Sequence, residues 1–256
     1  MNSLGRTPDG LRRERMQSSP LWVDGAFRNI HPVLPKLLRT DVAMPTVREF
    51  LFGGNRRVPK GPLPSVDPLS GWKKKPRTGL RATWLGHSTV LIEIDGLRVL
   101  TDPVWGLRAS PSQWAGPKRF QPVPVAIRSL PPLDAVVISH DHYDHLDYTS
   151  IRALAQSDVP FVTSLGVGAH LEAWGVPSHR IVELDWWESY QLPKVDLTVT
   201  AAPSQHFPAG ACAAGTRRCG RRWSSGRVGM RRSSAATRDS RRNTPRSASG
   251  SARSTW

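Results

Sequence analysis

Ala135-Val136-Val137-Ile138-Ser139-His140-Asp141-His142-Tyr143-Asp144-His145-Leu146-Asp147 is the stretch on which the reading of the fold turns. Its first four residues are apolar without a polar break, the pattern of a strand covered on both faces, as in a parallel sheet inside an α/β protein. The nine residues from Ser139 to Asp147 then hold three histidines and three aspartates. Imidazole and carboxylate hold zinc and related divalent ions, and a rigid strand end can fix their geometry. His140 and His142, two residues apart, can turn to one ion. Asp144 and His145 follow after a turn and can face a second ion, at the roughly 3.5 to 4 Å separation of two-metal sites. Asp141 reads as a supporting or solvent-facing group, and Asp147 as a helix N-cap. The bland alternative is a solvated polar loop, but such loops seldom gather this many ligands directly behind a buried strand.

Downstream, the pattern alternates. A helix runs from Asp147 through about Ala155 with Ile151 and Leu154 on its inner face, followed by a strand at Pro160–Thr163. A second helix covers Gly166–Trp174 and stops at Gly175, a strand covers Arg180–Leu184, and another covers Asp196–Ala201, leading to Ser204-Gln205-His206. Upstream, Ala82–Leu85, Thr89–Ile94 and Leu97–Thr101 read as strands, the last two joined at Asp95-Gly96, a strong two-residue hairpin signal. The Pro- and Trp-containing loop from Asp102 to Pro132 is too long for a simple connection and is expected to cover a site. The whole is an α/β sandwich with ligands on loops at one sheet edge.

The ends differ from this middle. Residues 1–20 are polar and read as disordered, and residues 21–75, rich in Pro, Gly and basic groups, read as an extended lead-in with one short helix near Val47–Phe52. Residues 209–256 contain twelve arginines and one aspartate and no Leu, Ile or Phe, so this tail alone carries +11 of the formal +16 charge. A charge of that sign points to nucleic acid or an anionic membrane, but here it belongs to one low-complexity end rather than to the folded part. Both cysteines, Cys212 and Cys219, lie in the tail and make no disulfide framework, so a reducing, cytoplasmic setting is expected. The basic cluster Arg12-Arg13-Glu14-Arg15 has no apolar run after it, and no window approaches the length of a membrane span; neither a signal peptide nor a transmembrane helix is expected.

The run His140-x-His142-x-Asp144-His145 resembles the metal signature of the metallo-β-lactamase superfamily. Thr83-Trp84-Leu85-Gly86-His87-Ser88-Thr89, Leu100-Thr101-Asp102-Pro103-Val104-Trp105 and Pro203-Ser204-Gln205-His206-Phe207 narrow the resemblance to the branch of N-acylphosphatidylethanolamine-hydrolysing phospholipase D and its bacterial relatives. It covers about residues 20 to 208. It implies an αββα sandwich over residues 76–208, incomplete in this chain, with two zinc ions and a hydroxide that attacks a phosphodiester or related ester. Carried over residue by residue, His140, His142 and His206 hold the first ion, and Asp144 and His145 hold part of the second, with Asp144 orienting the hydroxide. His87 becomes a supporting or substrate-facing group, and Asp102 orients a metal-bound histidine. Trp105, Trp114, Trp186 and Trp187 are candidates for a lipid groove, with ordinary packing as the competing role for each. The implied partner is a phospholipid or other phosphodiester, met through peripheral membrane contact. Two other readings stand beside it: a sugar-phosphate lactonase of the same superfamily, and a basic nucleic-acid binder acting through residues 209–256.

After His206 the family pattern calls for a Leu-Trp-x-Ser strand and then a Gly-Asp-Thr-Gly motif whose aspartate bridges both ions. Neither appears in frame. Regrouping the degenerate codons by one base lets Arg217–Arg222 read Ala-Thr-Leu-Trp-Ala-Ser and lets Ser233–Asp239 read Phe-Phe-Gly-Gly-Asp-Thr-Gly. Two family segments thus lie hidden, in order, one base out of frame. The expectation is a frame shift shortly after Phe207, a chain that holds one zinc ion well at most, and weak activity.

Overall fold

The computed structural model describes residues 3–30, 59–193 and 195–204, and the backbone of residues 226–231. The chain opens with helix α1 (Gly10–Gln17), a small hairpin of β1 (Trp22–Val23) and β2 (Ala26–Phe27), and a short helix α2 (Leu69–Trp72). Three antiparallel strands follow: β3 (Leu80–Gly86), β4 (Thr89–Ile94) and β5 (Leu97–Thr101). Asp95 and Gly96 both take positive φ (49° and 91°), which matches the twist of the flanking strands and sets the register with Ile94 opposite Leu97.

From β5 onward the sheet turns parallel. β6 (Ala135–Ile138), α3 (Tyr148–Leu154), β7 (Phe161–Ser164), α4 (Gly168–Ala173) and β8 (Ile181–Leu184) alternate strand and helix and complete a six-stranded sheet in the order β3-β4-β5-β6-β7-β8. A second, antiparallel sheet holds β9 (Ser189–Gln191), β10 (Thr198–Pro203) and β11 (Gly226–Arg231), with β10 in the middle.

The apolar run of β6 shows how the layers are built. All four residues are buried, and successive side chains serve different cores. Val136 and Ile138 pack with Phe161, Ile151, Leu171 and Trp174 beneath the helices. Ala135 and Val137 pack with Val162, Leu192, Leu197 and Val199 between the two sheets. The result is a helix layer, a mixed sheet and a second sheet, with β6 buried on both faces. Burying a side chain such as Ile138 contributes about 1.5–3 kcal/mol.

The N-terminal reading is corrected. Residues 3–20 are ordered rather than disordered: Met16 is fully buried against Phe27 and Leu165, and Arg12 bridges Glu172 (2.8 Å) and Glu183 (2.5 Å). Arg12, within the basic cluster, thus finds its carboxylates 160 and 171 residues away, on α4 and β8. The lead-in is corrected in part as well, since it contains β1, β2 and α2, and Trp72 belongs to the main core, donating from its indole N–H to Thr83 Oγ1 at 3.1 Å. The helix expected near Val47–Phe52 lies outside the described residues, as do His206, Cys212 and Cys219. Within the 209–256 tail, Gly226–Arg231 pairs antiparallel with β10, Val199 opposite Met230. No helix among the described residues is long and apolar enough to cross a membrane.

Candidate metal centre

β6 ends at Ile138, and the chain then turns tightly, with the amides of His145 and Leu146 both donating to the His142 carbonyl (2.8 and 2.7 Å). Leu146 is driven into the core, which fixes the turn from below. Above it three imidazoles come together: ring centroids are 4.5 Å apart for His140 and His142 and 4.1 Å for His140 and His145.

Asp102, at the end of β5, aims two of these rings. Its Oδ1 accepts from the Ser139 amide (2.7 Å), and its Oδ2 accepts from Ser139 Oγ (2.8 Å) and from His145 Nδ1 (2.9 Å). A carboxylate can only accept, so the hydroxyl proton of Ser139 is spent on Asp102. Its oxygen is then the acceptor for His140 Nδ1, 2.9 Å away. Both His140 and His145 therefore carry their protons on Nδ1 and present a bare Nε2, the tautomer that a metal ligand needs. Burial works against a charged imidazole at His145, but the hydrogen bond and charge of Asp102, with the charge of Asp144, outweigh it and raise its pKa.

His87 closes the other side. It sits in the turn between β3 and β4 with φ 49°, and its Nε2 lies 3.0 Å from Asp144 Oδ2. Ser88 Oγ donates to the Asp144 carbonyl at 2.8 Å, which ties the two loops together. Burial alone would raise the Asp144 pKa, but His145 and His87 beside it hold it below the ordinary value. Ligand atoms of His87, Asp144 and His145 all lie within 4.8 Å of one another, spacing that one divalent ion can span. The donor set of imidazole nitrogens and a carboxylate suits zinc and its borderline neighbours, so the residues fit the ion the sequence implied.

The structure brings together His140, His142, Asp144, His145 and Asp102, and it promotes His87 from the rim to direct contact with Asp144. Asp141, half-buried beside them, has a carboxyl pushed up to about 7 by burial. Asp147 caps α3 by accepting from the Ser150 amide (2.9 Å), and also accepts from the Gly106 amide (3.1 Å), so it pins the long loop to the helix. Sequence reasoning missed Ser139. Its place between the apolar run and the first histidine was the available signal, since any group there meets both the strand end and the ligands.

The site opens on a cavity of about 1410 Å³ whose walls are mainly apolar: Leu63, Val66, Trp84, Val104, Phe120 and Trp174, with His87, Asp141, His142 and Asp144 at one end. None of Trp105, Trp114, Trp186 and Trp187 lines it. Trp105 instead packs against the core with its indole N–H on the Val125 carbonyl (2.8 Å), and Trp114 is 93% exposed.

This layering and this centre are those of a metallo-β-lactamase-type protein, and residues 97–235 match the family described as the Beta-lactamase superfamily domain, to which the chain belongs. An uncharacterised protein of Mycobacterium tuberculosis is 47% identical over 206 residues, covering 80% of this chain and 54% of that protein. The N-acyl-phosphatidylethanolamine-hydrolyzing phospholipase D 1 of Caenorhabditis elegans is 41% identical over 136 residues, covering 50% of this chain and 38% of that protein. Among solved structures, a metallo hydrolase of Ignicoccus hospitalis superposes with a TM-score of 0.41 at 17% identity over 60% of this chain and 56% of that one. The chain spans about half the length, or less, of these two relatives. The lineage is one of enzymes.

Proposed function

We propose that the chain derives from a zinc-dependent phosphodiesterase of phospholipase D type that acts on N-acylphosphatidylethanolamine-like lipids. The observation that carries this reading is the juxtaposition of an apolar cavity with the imidazole and carboxylate cluster: one end suits an acyl chain, the other a polar ester. The 41% identity to the nematode phospholipase D supports it.

His140 and His142, with His206, would hold a first metal ion, and Asp144 and His145 would hold part of a second. Bound there, the ion would supply an activated water and polarise a phosphoryl oxygen. The protein's own residues do the rest. Asp102 and Ser139 hold His145 and His140 in the right tautomer; His87 keeps the Asp144 carboxylate ionised and oriented; and the apolar walls keep water from the acyl portion. The tail, read as frame-shifted, contributes no in-frame bridging aspartate in this proposal, which leaves one well-held ion and reduced turnover.

The test is hydrolysis of an N-acylphosphatidylethanolamine dispersion and of a sugar-phosphate lactone by the purified chain loaded with zinc. Release of the phosphorylated product from the lipid, abolished by His142→Ala, is expected. Turnover of the lactone alone would replace this reading with the lactonase one. Salt-sensitive binding to nucleic acid without turnover of either compound would discard both.

A further inference from the structure

Arg119 lines the cavity next to the metal centre, yet the orientation of the histidines and Asp144 makes no use of it. It comes from the long loop between β5 and β6, where its backbone amide donates to the Leu107 carbonyl (2.8 Å) and its Nη2 donates to the Val104 carbonyl (2.6 Å). On the opposite side it crosses the β3–β4 turn so closely that a Cβ on Gly86 would stand 2.9 Å from Nη1. Gly86 also takes φ +109°, a backbone conformation that favours glycine, and the absence of a Cβ there lets the guanidinium lie this close to the turn. The next residue is His87, which touches Asp144.

This cation is incompletely answered. Its Nε is buried and has no hydrogen-bond acceptor among the described residues. Burial opposes the charged form, and the opposing influence is the charge of Asp147. The Asp147 carboxylate, however, is already engaged by Gly106, Thr149 and Ser150. A guanidinium held by one hydrogen bond from Nη2, short of acceptors among the described residues and set in a mainly apolar wall, is suited to an anion, because the fold has already met much of the desolvation and the ligand gains a charge-assisted hydrogen bond in a low-dielectric setting.

We propose that Arg119 is an anion-recognising residue of this cavity, beside Lys118 in its wall, binding a non-bridging phosphoryl oxygen of a phosphodiester while His87 and Asp144 face the scissile centre. The identity of the anion rests on the phosphodiesterase reading; the selection for negative charge does not. Arg119 thereby separates monoanionic diesters from neutral esters, a discrimination that the apolar walls do not supply.

The experiment is calorimetric titration of the full-length chain with diethyl phosphate, a monoanion, and with triethyl phosphate, its neutral counterpart. Arg119→Gln is expected to weaken diethyl phosphate binding roughly tenfold or more and to leave triethyl phosphate unchanged. Arg119→Lys, which keeps a charge but loses the fork, should show a smaller loss confined to the anion, and it carries the test should the glutamine variant not fold. No measurable binding of diethyl phosphate to the unaltered chain, an equal loss for both ligands, or no loss for either would overturn the assignment. Turnover of bis(4-nitrophenyl) phosphate by the same preparation reads the parent proposal separately: its absence, with Arg119-dependent anion binding retained, would remove the phosphodiesterase and leave the anion site.

Discussion

At the scale of residues, the centre depends on one carboxylate and one hydroxyl that carry no ligand role themselves. Asp102 and Ser139 decide which nitrogen of His140 and His145 is bare, and they do so through bonds of 2.8–2.9 Å. Removing Asp102 should let His145 turn and change tautomer, so Asp102→Ala is expected to lower zinc affinity by roughly 10- to 100-fold. Competition with a chromophoric chelator would measure it; unaltered affinity would show that Asp102 is merely structural. A second residue-scale prediction concerns His170, whose pKa is depressed to about 4 by burial. Its Nδ1 accepts from the Arg6 amide at 3.2 Å and its ring lies against Trp174, so the fold requires the neutral form. The unfolded chain takes up this proton near pH 6.5 and the folded chain only near 4. The stabilisation is therefore complete above about 6.5 and drains away as the pH falls towards 4. His170→Gln should flatten the fall in melting temperature across that window. An unchanged pH profile in the variant would show that another group governs it.

At the scale of elements, the sequence was most informative where local pattern and burial agree. The β6 run, the Asp95-Gly96 turn and the Asp147 cap each announce themselves within a few residues, because strand burial, positive φ and an N-cap side chain leave short-range marks. The quoted stretch likewise held four of the five expected ligands in one place. Helix α1 left no such mark. Its stability comes from Met16 entering a small core and from Arg12 meeting Glu172 and Glu183, partners that only the folded chain brings near. The partner of His87 was likewise out of reach of local pattern, because its contact with Asp144 spans 57 residues. Of the four tryptophans offered for a groove or for packing, none lines the cavity, and Trp105 takes the packing role. Met16→Ala should cost about 2–5 kcal/mol in chemical unfolding, as expected for an emptied core position. Arg12→Ala should expose the first 20 residues to limited proteolysis, because it strands two acidic groups. Wild-type stability and protection in both variants would show that α1 is not docked as described.

At the scale of the whole molecule, the helix–sheet–sheet layering explains how the candidate metal ligands come together. The β5 and β6 ends and the β3–β4 turn converge on one sheet edge, so Asp102, the His/Asp cluster and His87 meet without any one segment carrying the full set. The family match runs to residue 235, and Gly226–Arg231 pairs with β10, so part of the Arg-rich tail joins the second sheet even though its composition differs from the rest. The frame-shift proposal makes a definite statement about the gene: the shifted frame should encode aspartate in place of Thr237, and nucleotide sequencing across codons 205 to 240 would decide it. The central claim, that this chain builds a metal centre from its own strand-end cluster, is tested most directly by the metal content of the purified full-length protein measured by mass spectrometry. One tightly held zinc ion per chain, lost in His142→Ala, is the predicted result; a wild-type chain without bound metal, or zinc retained in full by the variant, would contradict it.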